Sequence, residues 1–217
     1  MCKLTAIEEA VAKIPDGASL MIGGFMGVGS PHRLIDELIR QGRRDLTVIA
    51  NDTARPGVDI GKLIRAGAVK RLVASHIGLN PETQKQMIDG AIEVELVPQG
   101  TLAERIRVGG NGLGGVLTAT GVGTTVAEGK QTVEIGGRTF LLEMPLRADF
   151  ALISAWRADY YGNLSYELTA RNFNPVMALA ADTVMAEAGE IVPVGLIPPD
   201  QVETVSVVVD YLVARSN

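Results

Sequence analysis

The sequence holds one cysteine, Cys2, and its aromatic residues amount to only 4% of 217 residues. A single cysteine excludes an intrachain disulfide and a cysteine-rich metal site, and it fits a reducing compartment. Cys2 itself reads as an inert terminal thiol. No apolar run approaches the roughly 20 residues that a membrane span requires. The N-terminal stretch MCKLTAIEEA carries adjacent glutamates where a secretory leader needs an apolar core. A cytoplasmic protein without membrane contact is therefore expected. No block of like charge occurs either, since 20 Lys and Arg are interspersed with 25 Asp and Glu for a net charge of -5. That balance leaves no footprint for nucleic acid, and the pair Arg43 and Arg44 reads as a solvated helix end. The two histidines, His32 and His76, lack partners at ligand spacing, so no metal is expected.

Hydrophobic residues nonetheless make up 47% of the chain. With few aromatics, the core must be built from Ala, Val, Leu and Ile, the composition of helices packed on parallel strands buried on both faces. The fold class that follows is α/β, a mostly parallel open sheet flanked by helices with a β-rich C-terminal portion, in one domain over residues 1–217.

The order of elements supports this. TAIEEAVAKI reads as a helix capped by Thr5, and SLMIG as a short buried strand. After a glycine-rich loop, Ser30 is expected to cap a helix with Pro31 at its first position and Leu34, Ile35, Leu38 and Ile39 on one face. LTVIAND, VKRLVASHI and IEVELVPQG read as strands. DIGKLIRAG and NPETQKQMIDG read as the helices between them. TLAERIRVGG opens with Thr101 and Glu104 at capping-box spacing. Residues 109–129 are glycine-rich without periodicity, which predicts a long functional or interface loop. QTVEIGGRTFLLE predicts a hairpin turned at Gly136 and Gly137. FALISAW, DTVMAE and VETVSVVVDYLV read as later strands, with a helix from about Pro175 to Ala180.

The loop in SLMIGGFMGVGSPHRLIDEL brings Gly23, Gly24, Gly27 and Gly29 between a strand and a helix. Such a turn exposes backbone N–H groups and aims a helix dipole at an anion, but it can equally be a packing turn. Its spacing is neither the dinucleotide G-x-G-x-x-G nor a P-loop, which argues against a nucleotide-dependent oxidoreductase. Gln99 ends a strand where open α/β sheets gather ligands. Its amide reads either as a loop brace or as a hydrogen-bond donor to a substrate. Asn51 and Asp52 end another strand, as cleft or turn residues. His76 reads as a satisfied structural histidine, His32 as solvated, and Trp156, Tyr160 and Tyr161 as core or interface residues.

The stretch DGASLMIGGFMGVGSP, residues 16–31, resembles the first signature of the family I coenzyme A transferases. IANDTA, ASHIGLNPET, VPQGTLAERIRVGGNGLGG, TGVGT, LLEMPLRADFALISAWRAD, GNLSYELTARNFNP and MALAADTVMAE extend the resemblance over nearly the whole chain. They are most similar to the alpha subunits of its acetate- and acetoacetate-using members. The resemblance implies transfer of coenzyme A between a short-chain acyl-CoA such as acetyl-CoA and a free carboxylate such as acetoacetate or butyrate. The covalent step implied is a glutamyl-CoA thioester on a beta subunit, in an assembly of two alpha and two beta chains. The Ser-Glu-Asn-Gly motif of that glutamate is absent here, and Glu128, in A-E-G-K, reads as a loop carboxylate. The same resemblance places CoA, as substrate rather than bound cofactor, against Gly24, Phe25, Met26, Gly27, Val28, Gly29 and Ser30. It also puts Gln99 beside the reactive carbonyl. A non-catalytic domain of similar fold, sensing a sugar phosphate or CoA ester, is the alternative.

Overall fold

The computed structural model describes residues 3–215, and Cys2 lies outside them. Short apolar runs alternate with amphipathic ones, and the chain folds accordingly. It runs α1 (Ile7–Val11), β1 (Ser19–Ile22), α2 (His32–Arg40), β2 (Leu46–Asp52), α3 (Ile60–Arg65), β3 (Val69–His76), α4 (Pro81–Ile88), β4 (Glu93–Leu96) and α5 (Gln99–Gly110). The second half adds β5 (Val116–Thr118), β6 (Thr132–Ile135), β7 (Arg138–Glu143), β8 (Ala148–Asp159), β9 (Leu164–Ser165), α6 (Asn174–Leu179), β10 (Ala181–Val192) and β11 (Tyr211–Ala214).

The main sheet has the order β11-β10-β8-β1-β2-β3-β4, parallel throughout, with β9 antiparallel on β8. Period-two alternation splits its buried residues between two layers. Leu20, Ile22, Val48, Ala50, Leu72 and Ala74 pack with α1 to α4 on one face. Met21, Ile49, Val73, Ala151 and Ile153 pack with α5 and α6 on the other. On α2, Leu34, Ile35 and Leu38 are wholly buried, each stabilising the fold by about 1.5–3 kcal/mol. The sheet winds one way from β1 to β4 and the other way through β8, β10 and β11. Its direction therefore switches beside β1, at whose C-terminal end the glycine loop emerges.

Several local expectations change. Ala6 rather than Thr5 precedes α1, and the Thr5 hydroxyl donates to the Lys3 carbonyl instead. α5 begins two residues early, at Gln99 with Pro98 before it, so Thr101 falls inside the helix and its buried hydroxyl has no partner. The capping box is not formed. Within 109–129, Val116–Thr118 pairs with β7, making a three-stranded antiparallel sheet with β6. Of VETVSVVVDYLV only the last three residues, from Tyr211, are strand, and Ser206–Val208 is a 3-10 turn. The spacing G-x-G-x-x-G does occur at Gly110, Gly112 and Gly115, but there it leads from a helix into a strand, the reverse of a dinucleotide turn. The hairpin does turn at Gly136 and Gly137, with φ of +59° and +72°.

Candidate active site

β1 ends at Ile22, and the next eight residues form a compact turn rather than an open cradle of donors. The Gly23 N–H donates to the Leu152 carbonyl on β8, and Phe25 and Val28 exchange N–H bonds at 3.0 and 2.9 Å. The Gly24 N–H donates to Asn172 Oδ1 at 3.0 Å, and the Met26 N–H to Asp52 Oδ2 at 2.9 Å. Asn174 grips the same turn, its Nδ2 donating to the Gly29 carbonyl at 2.9 Å while its Oδ1 accepts the Ser154 N–H. That grip needs glycine at Gly23, where a Cβ would stand 1.8 Å from Asn174 Oδ1. The partly exposed amides of Gly27 and Gly29 have no acceptor among the described residues. The Ser30 N–H also lacks one, but Ser30 is buried.

Ser30 does not cap α2, and Pro31 is the residue before the helix. The Arg33 and Leu34 N–H groups donate to Glu187 Oε2, at 2.9 and 3.2 Å, from a fully buried carboxylate on β10. Arg215 Nε donates to the other oxygen of Glu187 at 3.0 Å. The positive end of α2 is thus already met by the protein's own charge, so the dipole is not the loop's anion site. The Ser30 hydroxyl, itself buried, donates to Asp59 Oδ2 at 2.6 Å.

Gln99 is the first residue of α5, and its Nε2 donates to Asn51 Oδ1 at 2.6 Å. Asn51 Nδ2 donates to Asp52 Oδ2 at 2.7 Å, and Asp52 Oδ1 accepts the Ala54 N–H at 2.7 Å. Gln99 and the glycine turn are therefore joined by a continuous chain of side-chain hydrogen bonds. A cavity of about 420 Å³ opens beside it, lined by Phe25, Met26, Asn51, Asp52, Ser75, His76, Leu79 and Gln99. Phe25, 46% exposed, is the wall it shares with a larger groove of about 930 Å³. There Leu168, Thr169, Arg171 and Val176 supply the far side, and Arg171 is paired with Glu203. A third hollow runs from Phe25 and Gln99 to Asn172 and Phe173. No glutamate lines any of these three hollows.

Of the loop residues, Phe25 and Met26 share a hollow with Gln99, with Asn51 and Asp52 bracing both; Gly24, Gly27, Val28, Gly29 and Ser30 line no hollow with it. His76 is not a satisfied structural histidine, for its side chain stands exposed on the cavity rim without a hydrogen-bond partner among the described residues. His32 is half-buried. Trp156, Tyr160 and Tyr161 are 41%, 45% and 53% exposed and do not belong to the core; Arg157 stacks on the Trp156 ring at 4.2 Å. Arg44 pairs with Asp16 at 3.1 Å, and Glu128 lies exposed after a 3-10 turn. Sequence reading missed Asn172 and Asn174, which reach the turn, and Glu187, which reaches the start of α2, from about 145 to 155 residues away along the chain. Only the ARNFNP run hinted at the two asparagines.

Comparison with known proteins bears on this geometry. The model of the coenzyme A transferase family matches residues 4–215. The chain is 55% identical over 211 residues to the acetate CoA-transferase subunit alpha of Escherichia coli, covering 97% of this chain and 96% of that one. It is 47% identical to the acetoacetyl-CoA:acetate/butyrate CoA transferase alpha subunit of Clostridium acetobutylicum, covering 97% of each. Among solved structures, an acyl-CoA transferase of Escherichia coli O157:H7 in thioester complex with CoA superposes with a TM-score of 0.87 at 24% identity. The match takes in 99% of this chain and 47% of that one. The decarboxylase AibA/AibB, at 30% identity and a TM-score of 0.83, covers 99% of this chain and 84% of its own.

Proposed function

The chain belongs to the coenzyme A transferase family and works as a CoA-transferase, and from that premise we propose that it is the alpha subunit of a short-chain enzyme whose nucleophile lies on a beta chain. The substrates are a short-chain acyl-CoA such as acetyl-CoA and a free carboxylate such as acetoacetate or butyrate. The observation that carries this reading is that the glycine turn, through Phe25 and Met26, and the neutral amide of Gln99 share a hollow that no glutamate lines. In this reading the chain contributes the oxyanion donors and the beta chain the nucleophile.

The beta-chain carboxylate attacks the thioester carbonyl, and the carbonyl oxygen takes up the negative charge. N–H donors fixed at that oxygen stabilise the transition state by roughly 2.7–4 kcal/mol each. Collapse expels the CoA thiolate and leaves an acyl-glutamyl anhydride. The thiolate then attacks the glutamyl carbonyl, giving glutamyl-CoA and releasing the first carboxylate. The second carboxylate reverses both steps and leaves with CoA. In this chain Gly27 and Gly29 supply backbone donors, the second N–H of Gln99 supplies another, and residues 24–30 receive the pantetheine end. Two alpha and two beta chains make the working assembly, with residues 1–217 as one domain. The cytoplasm is its place in the same proposal; among the described residues no helix is long and apolar enough to cross a membrane.

The test is CoA exchange between acetyl-CoA and acetoacetate or butyrate, measured for this chain alone and together with a beta chain that carries Ser-Glu-Asn-Gly. Exchange is expected only with both. Turnover by this chain alone would overturn the divided site.

A further inference from the structure

Under the glycine turn lies a carboxylate that the transfer chemistry does not use. Asp59, immediately before α3, is 3% exposed; its Oδ2 accepts the Ser30 hydroxyl at 2.6 Å, and its Oδ1 is buried with no partner among the described residues. Its backbone is held at φ +52°, ψ -131°, a region that non-glycine residues avoid. Ala54, at the other end of the same segment, has φ +49°, and Val58 between them lies closest to the open side of Gly27. Facing Asp59 are Ser30, His32 from the first turn of α2, Asp52 from the end of β2, and the Ile60 backbone N–H of α3.

Packing does not explain this residue. An asparagine would fill the same space, tolerate positive φ better and leave no charge in the interior. Burial raises the Asp59 carboxyl to about 6; the Ser30 hydrogen bond and His32 pull against that rise, and Asp52 adds to it. The fold therefore favours the protonated form. Native protein binds more protons than unfolded chain between the ordinary aspartate range and about pH 6, and stability falls as pH rises through that window. Above it, the fold carries an ionised acid at a net cost.

We propose that Asp59 is a positioning residue of the transfer site: its carboxylate pins the Ser30 hydroxyl, and through Ser30 the turn that carries the unpaired Gly27 and Gly29 amides. The pinned hydroxyl fills the hollow under Gly24, where a Cβ would stand 1.9 Å from Ser30 Oγ. A neutral carboxyl is a weaker acceptor for that hydroxyl than a carboxylate. Activity is therefore lost as pH falls through the Asp59 transition. This rests on the CoA-transferase reading above.

The experiment uses the complex with its beta chain, as wild type, Asp59→Asn and Ser30→Ala. It records kcat, KM for acyl-CoA and Tm from pH 5 to 8. Wild-type kcat is expected to fall about tenfold from pH 7.5 to pH 5, the loss for one group titrating a unit above the lower limit. Asp59→Asn should flatten that limb, lower kcat at pH 7.5, keep KM within about twofold, and melt no lower than wild type at pH 7.5. Ser30→Ala should lower kcat at pH 7.5 with little change in KM, which keeps the test open if Asp59→Asn fails to assemble. An unchanged acid limb in Asp59→Asn, a lower Tm for it at pH 7.5, or wild-type kcat in Ser30→Ala would overturn the proposal. A wild-type complex that transfers no CoA at all would instead overturn the activity reading. The dependence of Tm on pH would even then decide whether Asp59 is held ionised against the preference of the fold.

Discussion

Gly27 and Gly29 both have positive φ, +87° and +74°, yet alanine at the two positions should behave very differently. At Gly27 a Cβ would meet nothing nearer than Val58 Cγ1 at 3.5 Å, which is ordinary contact. Only the left-handed backbone opposes the change, costing about 1–2 kcal/mol. At Gly29 the Cβ would stand 2.3 Å from the Ala170 carbonyl oxygen and 2.8 Å from Asn172 Nδ2. That carbonyl cannot step aside, because Asn172 and Asn174 both donate to it, at 3.2 and 2.8 Å. Overpacking adds about 1–3 kcal/mol, giving roughly 2–5 kcal/mol in all. Since 1 kcal/mol shifts Tm by about 2–4 °C at this chain length, Gly27→Ala should lower it by a few degrees and Gly29→Ala by on the order of ten. Thermal melts of the purified complex followed by CoA-exchange assays check both. Gly27→Ala should fold and lose turnover, because alanine shifts the left-handed backbone that carries the Gly27 N–H donor. Valine at Gly29 could not block the cleft in an intact fold, since the turn itself would have to move. Equal Tm losses for the two alanine variants would refute the packing of the turn against Ala170.

Glu187→Ala should cost about 2–4 kcal/mol in denaturant unfolding, because the Arg33 and Leu34 N–H groups and the Arg215 guanidinium all lose their acceptor; a loss below about 0.5 kcal/mol would deny the cap. Gln99→Ala should lower kcat more than it raises KM for acyl-CoA, as an oxyanion donor acts chiefly in the transition state. Equal losses in steady-state kinetics would assign Gln99 to ground-state binding.

The alternation of strands and helices was legible in the sequence because each element carries its own period and its own stop. Asn80 shows this at a single residue: its side chain accepts the Glu82 and Thr83 N–H groups ahead of a proline-started helix, all within four positions. The start of α2 was not legible, since its cap comes from Glu187, on a strand about 150 residues later. Ser30 has the right chemistry for a cap and the right place, but Asp59 takes its hydroxyl. The three-residue β5 is too short to show alternation amid glycine. Its pairing depends on β7, which a local reading does not see. In the candidate site, the glycine turn was legible from its place at the end of β1, whereas Gln99, read as a strand end, opens α5 three residues after β4. The asparagines that hold the turn were not, because their partners lie on the other side of the sheet's change of direction.

The hydrogen-bond chain from Gln99 to the glycine turn has only one sense in which it can be written. A carboxylate accepts and never donates, so Asp52 obliges Asn51 to turn its amino group toward it. Asn51 is left with its oxygen facing Gln99, and Gln99 must answer with nitrogen. The orientation of the amide in the cleft is thus dictated by an acid that need never touch the substrate. Two side chains that elsewhere rotate freely between nearly indistinguishable states are reduced to a single reading, without a search at each turnover.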